Sequence, residues 1–283
     1  MRRAEAAWAR SVKQRHEMIA TDYGSVDKMP LPPGREEEPY LSHPYTIWDF
    51  TPASFAAPFE MERVGRLGDG GKWVCGMSCY STASKARPII IYSLGVGQES
   101  SFENEMLSRT NCEIWGFDMS VDDWGDQLDE SNRGRAHFLK AGAAGQTDTS
   151  SNPPYYSVQD AMKKNGHDYV DILKMDIETF EFEVLDSLIG NFSAEKGLEV
   201  PIGQILVEIH LQRPMDVHTY LEWFERLEAR GLRPVWTEPN LLGVTLGISH
   251  KAGGPILSEY TFININDSRS AILGGLTAKD IQD

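Results

Sequence analysis

The chain has 283 residues, of which 41% are hydrophobic and 10% aromatic, and it carries a formal net charge of −15 at pH 7. This composition predicts a globular protein with a substantial core. An acidic surface repels phosphates, so no nucleic-acid partner is expected. No run reaches the roughly 18 apolar residues of a membrane helix. Three cysteines provide no disulfide framework, which favours a cytoplasmic or otherwise reducing compartment.

The first sixty residues predict an extension in front of the main domain. Residues 1–20 have apolar side chains near one helical face, and the basic residues among them fit a solvated helix surface. Prolines at 29–39 predict a linker because they block both helix and sheet. Residues 40–60 predict an irregular cover segment. The N-terminus lacks the apolar stretch of a signal peptide, although a longer natural chain with a membrane anchor is compatible with this sequence.

Strand and helix signals alternate over residues 61–266, and a polar tail follows at 267–283. This alternation predicts an α/β fold with a doubly wound sheet, whose ligand crevice lies at the carboxyl ends of the strands. The predicted strands are 89–94, 113–117, 136–139, 169–175, 204–209, 233–237 and 260–265. The predicted helices are 102–108, 158–164, 180–188 and 217–229.

A glycine turn after the first of these strands indicates a nucleoside-bearing cofactor. Gly95 and Gly97 follow the apolar run 89–94, and Asp118 ends the next strand. Glycines let the backbone approach a ligand, and an acid one strand over accepts hydrogen bonds from ribose hydroxyls. A strand-end acid also serves simply as a turn former. The nicotinamide fingerprint needs a third glycine where this chain has Ser100, which disfavours a dinucleotide-dependent oxidoreductase.

Acids and a histidine follow two later strands. Asp176 and Glu178 come after the strand 169–175, and Glu208 and His210 lie at the end of the strand 204–209. Because parallel strands end at the same edge of a sheet, these side chains predict a common rim. Such a rim can orient an acceptor, take its proton or bind a cation.

Several strings resemble the methyltransferase-like protein 24 family, and they occur in that family's order. They are Arg66-Leu-Gly-Asp-Gly-Gly-Lys-Trp-Val-Cys75, Tyr92-Ser-Leu-Gly-Val-Gly97, Ser101-Phe-Glu103, Phe117-Asp118, Leu173-Lys-Met-Asp-Ile-Glu178 and Val207-Glu-Ile-His210. The Asp-Ile-Glu block also resembles FkbM-type methyltransferases. The resemblance implies a class I, S-adenosylmethionine-dependent methyltransferase with a Rossmann-like, seven-stranded, mostly parallel sheet whose last strand is antiparallel.

The resemblance also implies roles for individual residues. Gly95 and Gly97 would line the methionine end of the cofactor, Asp118 would hold its ribose, and Asp176 would lie beside the sulfonium and the acceptor. The remaining implied cofactor residues belong to the glycine-rich hairpin and to the helix after the turn: Asp69, Gly70, Gly71, Ser101 and Phe102. The hairpin residues are equally compatible with a plain turn.

Two positions depart from the class I pattern. Many members carry an acid two residues before the first glycine, where this chain has Ser93. Glu99 or Glu103 is therefore a candidate for contacting the cofactor amino group. The third strand, which often ends in an acid near the adenine, continues here as Lys140-Ala-Gly142, which leaves the adenine contacts open.

His210 is the predicted general base, with Asp176 or Glu208 orienting it, because a hydroxyl acceptor must lose a proton. The alternative is a structural histidine at a strand end. Glu178 either takes part in catalysis or stabilises the first turn of the next helix. No metal is expected. The alternative is Mg²⁺ or Ca²⁺ held by Asp176, Glu208 and His210, with Asp118 nearby.

These inferences predict an S-adenosylmethionine-dependent methyltransferase that acts on a hydroxyl or amine of a small molecule, sugar or peptide. An oxygen acceptor is slightly favoured because acids and a histidine crowd the rim. The alternative is a noncatalytic cofactor-binding protein that uses residues 1–60 to dock a partner. An intact Asp176 and Glu208-Ile-His210 string argues against that alternative.

Overall fold

A computed structural model describes residues 1–29, 46–211, 216–241, 245 and 255–275. Within these ranges the helices are α1 (Arg2–Asp22), α2 (Met77–Ala83), α3 (Ser101–Arg109), α4 (Val158–Asn165), α5 (Glu181–Asn191), α6 (Val217–Ala229) and α7 (Ala271–Gly274). The strands are β1 (Met61–Val64), β2 (Lys72–Cys75), β3 (Ile89–Leu94), β4 (Cys112–Asp118), β5 (Ala136–Lys140), β6 (Gly142–Ala143), β7 (Tyr155–Tyr156), β8 (Val170–Met175), β9 (Ile202–His210), β10 (Leu232–Pro239) and β11 (Leu257–Asn264).

Seven strands form the central sheet in the order β10–β11–β9–β8–β3–β4–β5. Strand β11 pairs antiparallel with both β9 and β10, and the other pairs in this sheet are parallel. All seven strands predicted from the sequence lie in this sheet, which confirms the doubly wound α/β fold. The carboxyl ends of β3, β4, β8 and β9 therefore meet at one edge.

Both faces of the sheet are covered, so its strands are apolar almost throughout. Along β3 the buried side chains alternate between two cores: Ile89 and Ile91 face one, and Tyr92 and Leu94 face the other. The core that contains Tyr92 also holds apolar residues of α4, α5 and α6, whereas the other holds residues of α2 and α3. This two-sided packing fixes the strand ends that carry the site.

Helix α6 has the bounds that its apolar spacing predicts. Asp216 caps it by accepting a 2.7 Å hydrogen bond from the Thr219 amide. Tyr220, Phe224 and Leu227 are fully buried on its inner face. The short helix α2 and the paired strands β6 and β7 were not predicted, because segments of two to seven residues carry too little periodic signal.

The N-terminal extension packs closely on α6. Arg15 of α1 donates to Glu228 at 2.6 Å, and Thr51 places its hydroxyl within 2.8 Å of the Tyr220 hydroxyl. Most of the predicted linker, residues 30–39, lies outside the described residues. Ile272 of α7 is fully buried, and the rest of the predicted tail, from 276 onward, also lies outside them. In the described ranges, no helix combines the length and the apolar character required to cross a bilayer.

Candidate active site at the carboxyl edge of the sheet

A cleft of about 270 Å³ opens at the carboxyl ends of β3, β4 and β8. This volume is close to the lower end of the roughly 300–1,000 Å³ typical of small-molecule sites. Its lining includes the β1–β2 hairpin, the turn after β3, the ends of β4 and β8, and two lysines. Predicted site residues that line it are Asp69, Gly70, Gly95, Gly97, Asp118, Asp176 and Glu178.

The turn after β3 needs glycine for two different reasons. Gly95 has a φ of +75°, and a Cβ placed there would lie 1.8 Å from the carbonyl oxygen of Asp176. Gly97 has a φ of +62°, but a Cβ there would meet no atom within 4 Å, because the position faces open space. Gly95 thus lets the β3 turn pack against the β8 turn, whereas Gly97 leaves room in the cleft that a bound nucleoside can occupy.

Asp118 ties the β3 and β4 turns together. One carboxylate oxygen accepts from the Gly97 amide at 2.7 Å, and the other accepts from the amide and hydroxyl of Ser120 at 2.6 and 2.7 Å. Burial raises the pKa of Asp118, but these hydrogen bonds outweigh it and hold the pKa below its usual value. Asp118 is therefore an ionised acceptor at the edge of the cleft.

The glycine-rich hairpin forms one wall of the cleft, with Asp69 and Gly70 facing it. Three other predicted cofactor residues are not part of the cleft lining. Ser101 accepts a 2.8 Å hydrogen bond from the Arg66 amide, and Phe102 is fully buried. Gly71 packs against the hairpin backbone, where a Cβ would lie 2.3 Å from the Arg66 carbonyl oxygen. The structure thus places Gly71, Ser101 and Phe102 behind the wall.

The turn after β8 has an unusual backbone. Glu178 and Thr179 adopt φ values of +53° and +87°, and a positive φ is rare for a β-branched residue. Glu181 pins this turn, because its Oε1 accepts from the Ile177 amide at 3.0 Å and contacts His210 Nδ1 at 2.8 Å. Strained backbone of this kind concentrates at functional sites, where the surroundings hold it in place.

His210 lies in a ring of carboxylates and is 2% exposed. Its Nε2 atom is 3.7 Å from Asp176, 3.7 Å from Glu178 and 3.9 Å from Glu208. Burial lowers the pKa of His210, but Glu181, Asp176 and Glu208 more than compensate and raise it to about 9. At neutral pH the ring is therefore an imidazolium. The carboxylate hydrogen-bonded to the ring is Glu181, which the sequence analysis did not name, while Asp176 and Glu208 act on the ring from longer distances.

Lys72 and Glu259 extend the same cluster and were missed by the sequence analysis. The Lys72 ammonium contacts Glu259 and lies 3.4 Å from Asp176. Burial, Asp176 and Glu259 raise the pKa of Glu208 to about 7, while Asn240 donates to its Oε1 at 2.7 Å. Glu259 stands opposite Glu208 in the β9–β11 register. The sequence alone could not group Glu259 with Glu208, because their proximity follows from the antiparallel pairing of β9 with β11.

Two groups of side chains in the described residues have ligand atoms within 4.8 Å of one another: Asp176, Glu178 and His210, and Asp176, Glu208 and Glu259. The hypothetical metal trio of Asp176, Glu208 and His210 is divided between them. In the second group Lys72 already supplies a positive charge, and in the first a metal would have to displace the proton that the raised pKa of His210 favours. A cluster of acids balanced by Lys72 and protonated His210 therefore fits these residues better than a metal centre does.

The sequence matches a family described as "Methyltransferase domain" over residues 33–243. The chain belongs to this methyltransferase family. It is also 32% identical over 131 residues to the human and rat proteins called Probable methyltransferase-like protein 24. This confirms the family resemblance. The matched segment is 44% of the chain and 33% of each relative, so the chain spans about a third of the length of the curated relatives it matches.

Similar solved structures include the fibrillarin pre-rRNA processing protein of Methanococcus jannaschii, at 11% identity, with 73% of this chain and 83% of that chain covered and a TM-score of 0.38. The 1,6-didemethyltoxoflavin-N1-methyltransferase of Burkholderia thailandensis is 16% identical, with 66% and 77% covered and a TM-score of 0.35. The fold class of the chain follows from its own strand order.

Proposed function

We propose that this protein transfers a methyl group from S-adenosylmethionine to a hydroxyl or amine of a small molecule, sugar or peptide. One observation carries the proposal: the Gly95–Gly97 turn, Asp118 and Asp176 all border a single cleft. The first two elements suit a nucleoside, and the third adds negative charge at the end of the cleft where a sulfonium and an acceptor would meet.

Gly95 and Gly97 would leave space for the cofactor, Asp118 would accept hydrogen bonds from its ribose, and Asp69 and Gly70 would cover it. When bound, the cofactor supplies an electrophilic methyl group on a positively charged sulfur. Asp176, together with Glu178, stabilises positive charge in this part of the cleft. The open space at Gly97 and the ionised state of Asp118 fit this cofactor.

The acceptor is held over Asp176 and Glu178, and its alignment supplies much of the rate. His210, as an imidazolium pinned by Glu181, fixes the positions of these carboxylates rather than accepting a proton at neutral pH. Glu208 is the proposed proton acceptor, because its carboxylate lies within 4.8 Å of that of Asp176, which lines the cleft, and its pKa is raised to about 7. The acidic balance of the chain favours a small-molecule, sugar or peptide acceptor over a nucleic acid.

Calorimetry with S-adenosylhomocysteine and with NAD tests the cofactor. We expect saturable binding of S-adenosylhomocysteine and no heat from NAD. Binding of NAD alone would sink the proposal.

Turnover tests the chemistry. Incubation with a methyl-labelled donor and a fractionated cell extract should label an acceptor, and Asp176→Asn should lower the rate by about a hundredfold. Asp168→Asn, an exposed change at the opposite edge of the sheet, is the matched control and should leave the rate unchanged. Cofactor binding without any labelling would favour the noncatalytic docking protein instead, and equal rates for the two variants would remove Asp176 from the mechanism.

A further inference from the structure

Three buried polar side chains lie directly beneath the glycine turn. Ser93 lies near the end of β3, Glu103 comes from α3, and Lys174 comes from β8; Ser93 and Glu103 are fully buried, and Lys174 is 3% exposed. The Ser93 hydroxyl donates to Glu103 Oε1 at 2.6 Å, and the Lys174 ammonium lies 3.0 Å from the same oxygen. This group occupies the place where many class I enzymes carry an acid before the first glycine.

Lys174 is only partly satisfied by this group. Its contacts to the Ser93 hydroxyl and the Gly95 carbonyl oxygen are 3.3 and 3.5 Å, beyond the usual 2.7–3.2 Å of an N–H···O bond. Lys174 also lines the cleft, at the level of the Gly95–Gly97 turn. Glu103 Oε2 has no hydrogen-bond partner within the described ranges. The ammonium can therefore exchange its two long contacts for a ligand without leaving Glu103.

Lys72, the other lysine of the cleft, is in a different electrostatic setting. It contacts Glu259 and Asp176, and Glu208 adds further negative charge. An incoming carboxylate would be repelled there by the surplus acids. Lys174 pairs with Glu103 and also interacts with Asp176, whereas Glu259, Asp176 and Glu208 all act on Lys72. An anionic group therefore meets less repulsion beside Lys174.

We propose that Lys174 binds the carboxylate of the methionine moiety of S-adenosylmethionine, with Glu103 as the residue that positions its ammonium. The inference rests on the proposed function. Glu99, which lines the same end of the cleft beside Gly70, is placed to receive the amino group of that moiety. Lys174 and Glu99 would then pair with the carboxylate and the amino group of the cofactor's methionine moiety. Glu103 is too deeply buried to contact that moiety itself.

Two ligands that differ in this zwitterion provide the test. S-adenosylhomocysteine carries the amino-acid group, whereas 5′-methylthioadenosine has the same nucleoside and sulfur without it. In calorimetry, Lys174→Met should weaken S-adenosylhomocysteine binding by about tenfold to a hundredfold, the effect of one charge-assisted hydrogen bond. It should leave the affinity for 5′-methylthioadenosine unchanged. Lys163→Met, an exposed change on α4, should alter neither affinity.

Lys174→Met leaves Glu103 buried without its cation, so the double variant Lys174→Met/Glu103→Gln removes the unpaired charge that could prevent folding. Circular dichroism would verify its fold, and it should show the same selective loss. An equal loss for both ligands would mean that Lys174 only supports the pocket, and unchanged S-adenosylhomocysteine binding would mean that it makes no contact; either result overturns the inference while the proposed cofactor stands. Wild-type protein that binds neither ligand would overturn both proposals.

Discussion

The two ends of strand β8 carry aspartates in contrasting surroundings, one fully buried and one half-buried at the cleft. At the start, Asp171 receives two hydrogen bonds from Arg87 at 2.7 and 2.6 Å and one from the Ile90 amide at 2.9 Å. Just beyond the other end, Asp176 shares Lys72 with Glu259 and lies near Glu178 and Glu208. A matched ion pair stabilises the fold, whereas a surplus of one charge costs stability and creates a site for an oppositely charged ligand.

The largest effect on stability is expected at the start of β8, where Arg87 pairs with Asp171. Arg87→Met leaves the fully buried Asp171 without its cation, and the free energy of unfolding should fall by about 3–5 kcal/mol. Urea unfolding at pH 7 measures this change. Arg133→Met, which removes an exposed pair with Asp123, should cost less than about 1 kcal/mol. Similar losses for the two variants would show that the Arg87 pair contributes no more than a surface one.

At the carboxyl end of β8, where acids outnumber cations, His210 should make the free energy of unfolding depend on pH. Its pKa of about 9 in the folded protein exceeds the ordinary 6.5, so protonation favours folding. The contribution, about 3 kcal/mol, is fully present below pH 6.5 and is lost as the pH rises through 9. The difference in unfolding free energy between wild type and His210→Gln should therefore shrink between pH 6 and 9.5. A difference that stays constant over this range would contradict the imidazolium, and exposed His16→Gln is the control.

Glu208→Gln should separate stability from activity. Because the pKa of Glu208 is raised to about 7 in the folded protein, its ionised form costs stability above that pH. The variant should gain about 1–3 kcal/mol of unfolding free energy at pH 8, since Gln keeps the hydrogen bond from Asn240. It should also lose methyl transfer. A variant that is less stable than wild type at pH 8 would contradict the raised pKa of Glu208. A fully active variant would show that Glu208 is not the proton acceptor.

The smallest effect is expected from removing divalent cations. Lys72 and protonated His210 already balance part of the acid cluster, so methyl transfer should be unchanged in excess EDTA. The assay is the same labelled-donor turnover, before and after dialysis against the chelator. Activity that disappears and then returns with Mg²⁺ would restore the metal hypothesis for Asp176 and its neighbours.

The sequence predicted the sheet and three acids of the cluster, Asp176, Glu178 and Glu208, for a clear physical reason. Apolar strand runs mark the sheet, and acids after parallel strands converge because those strands end at one edge. Asp176, Glu208 and His210 could be grouped in this way. Lys72 and Glu259 could not, because one reaches the site from a separate hairpin and the other from an antiparallel strand about fifty residues after Glu208.

The protonation state of His210 was also beyond sequence reasoning. It depends on Glu181, a residue of the next helix whose carboxylate turns inward, and on burial that no local pattern records. The same applies to Phe102 and Gly71. Both belong to recognisable strings, yet the burial of the Phe102 ring and the close packing of the Gly71 backbone depend on how the hairpin packs against α3.

The buried contacts of Lys72 have a consequence for how ligands enter and leave. Lys72 lies on β2, so lifting the β1–β2 hairpin would pull its buried ammonium away from Asp176 and Glu259 and leave a cluster of acids with less positive charge to balance it. These contacts of Lys72 hold the hairpin against the sheet. We expect exchange of cofactor and product to proceed over the opposite lip of the cleft, between Ser120 and Glu178, while the hairpin stays in place.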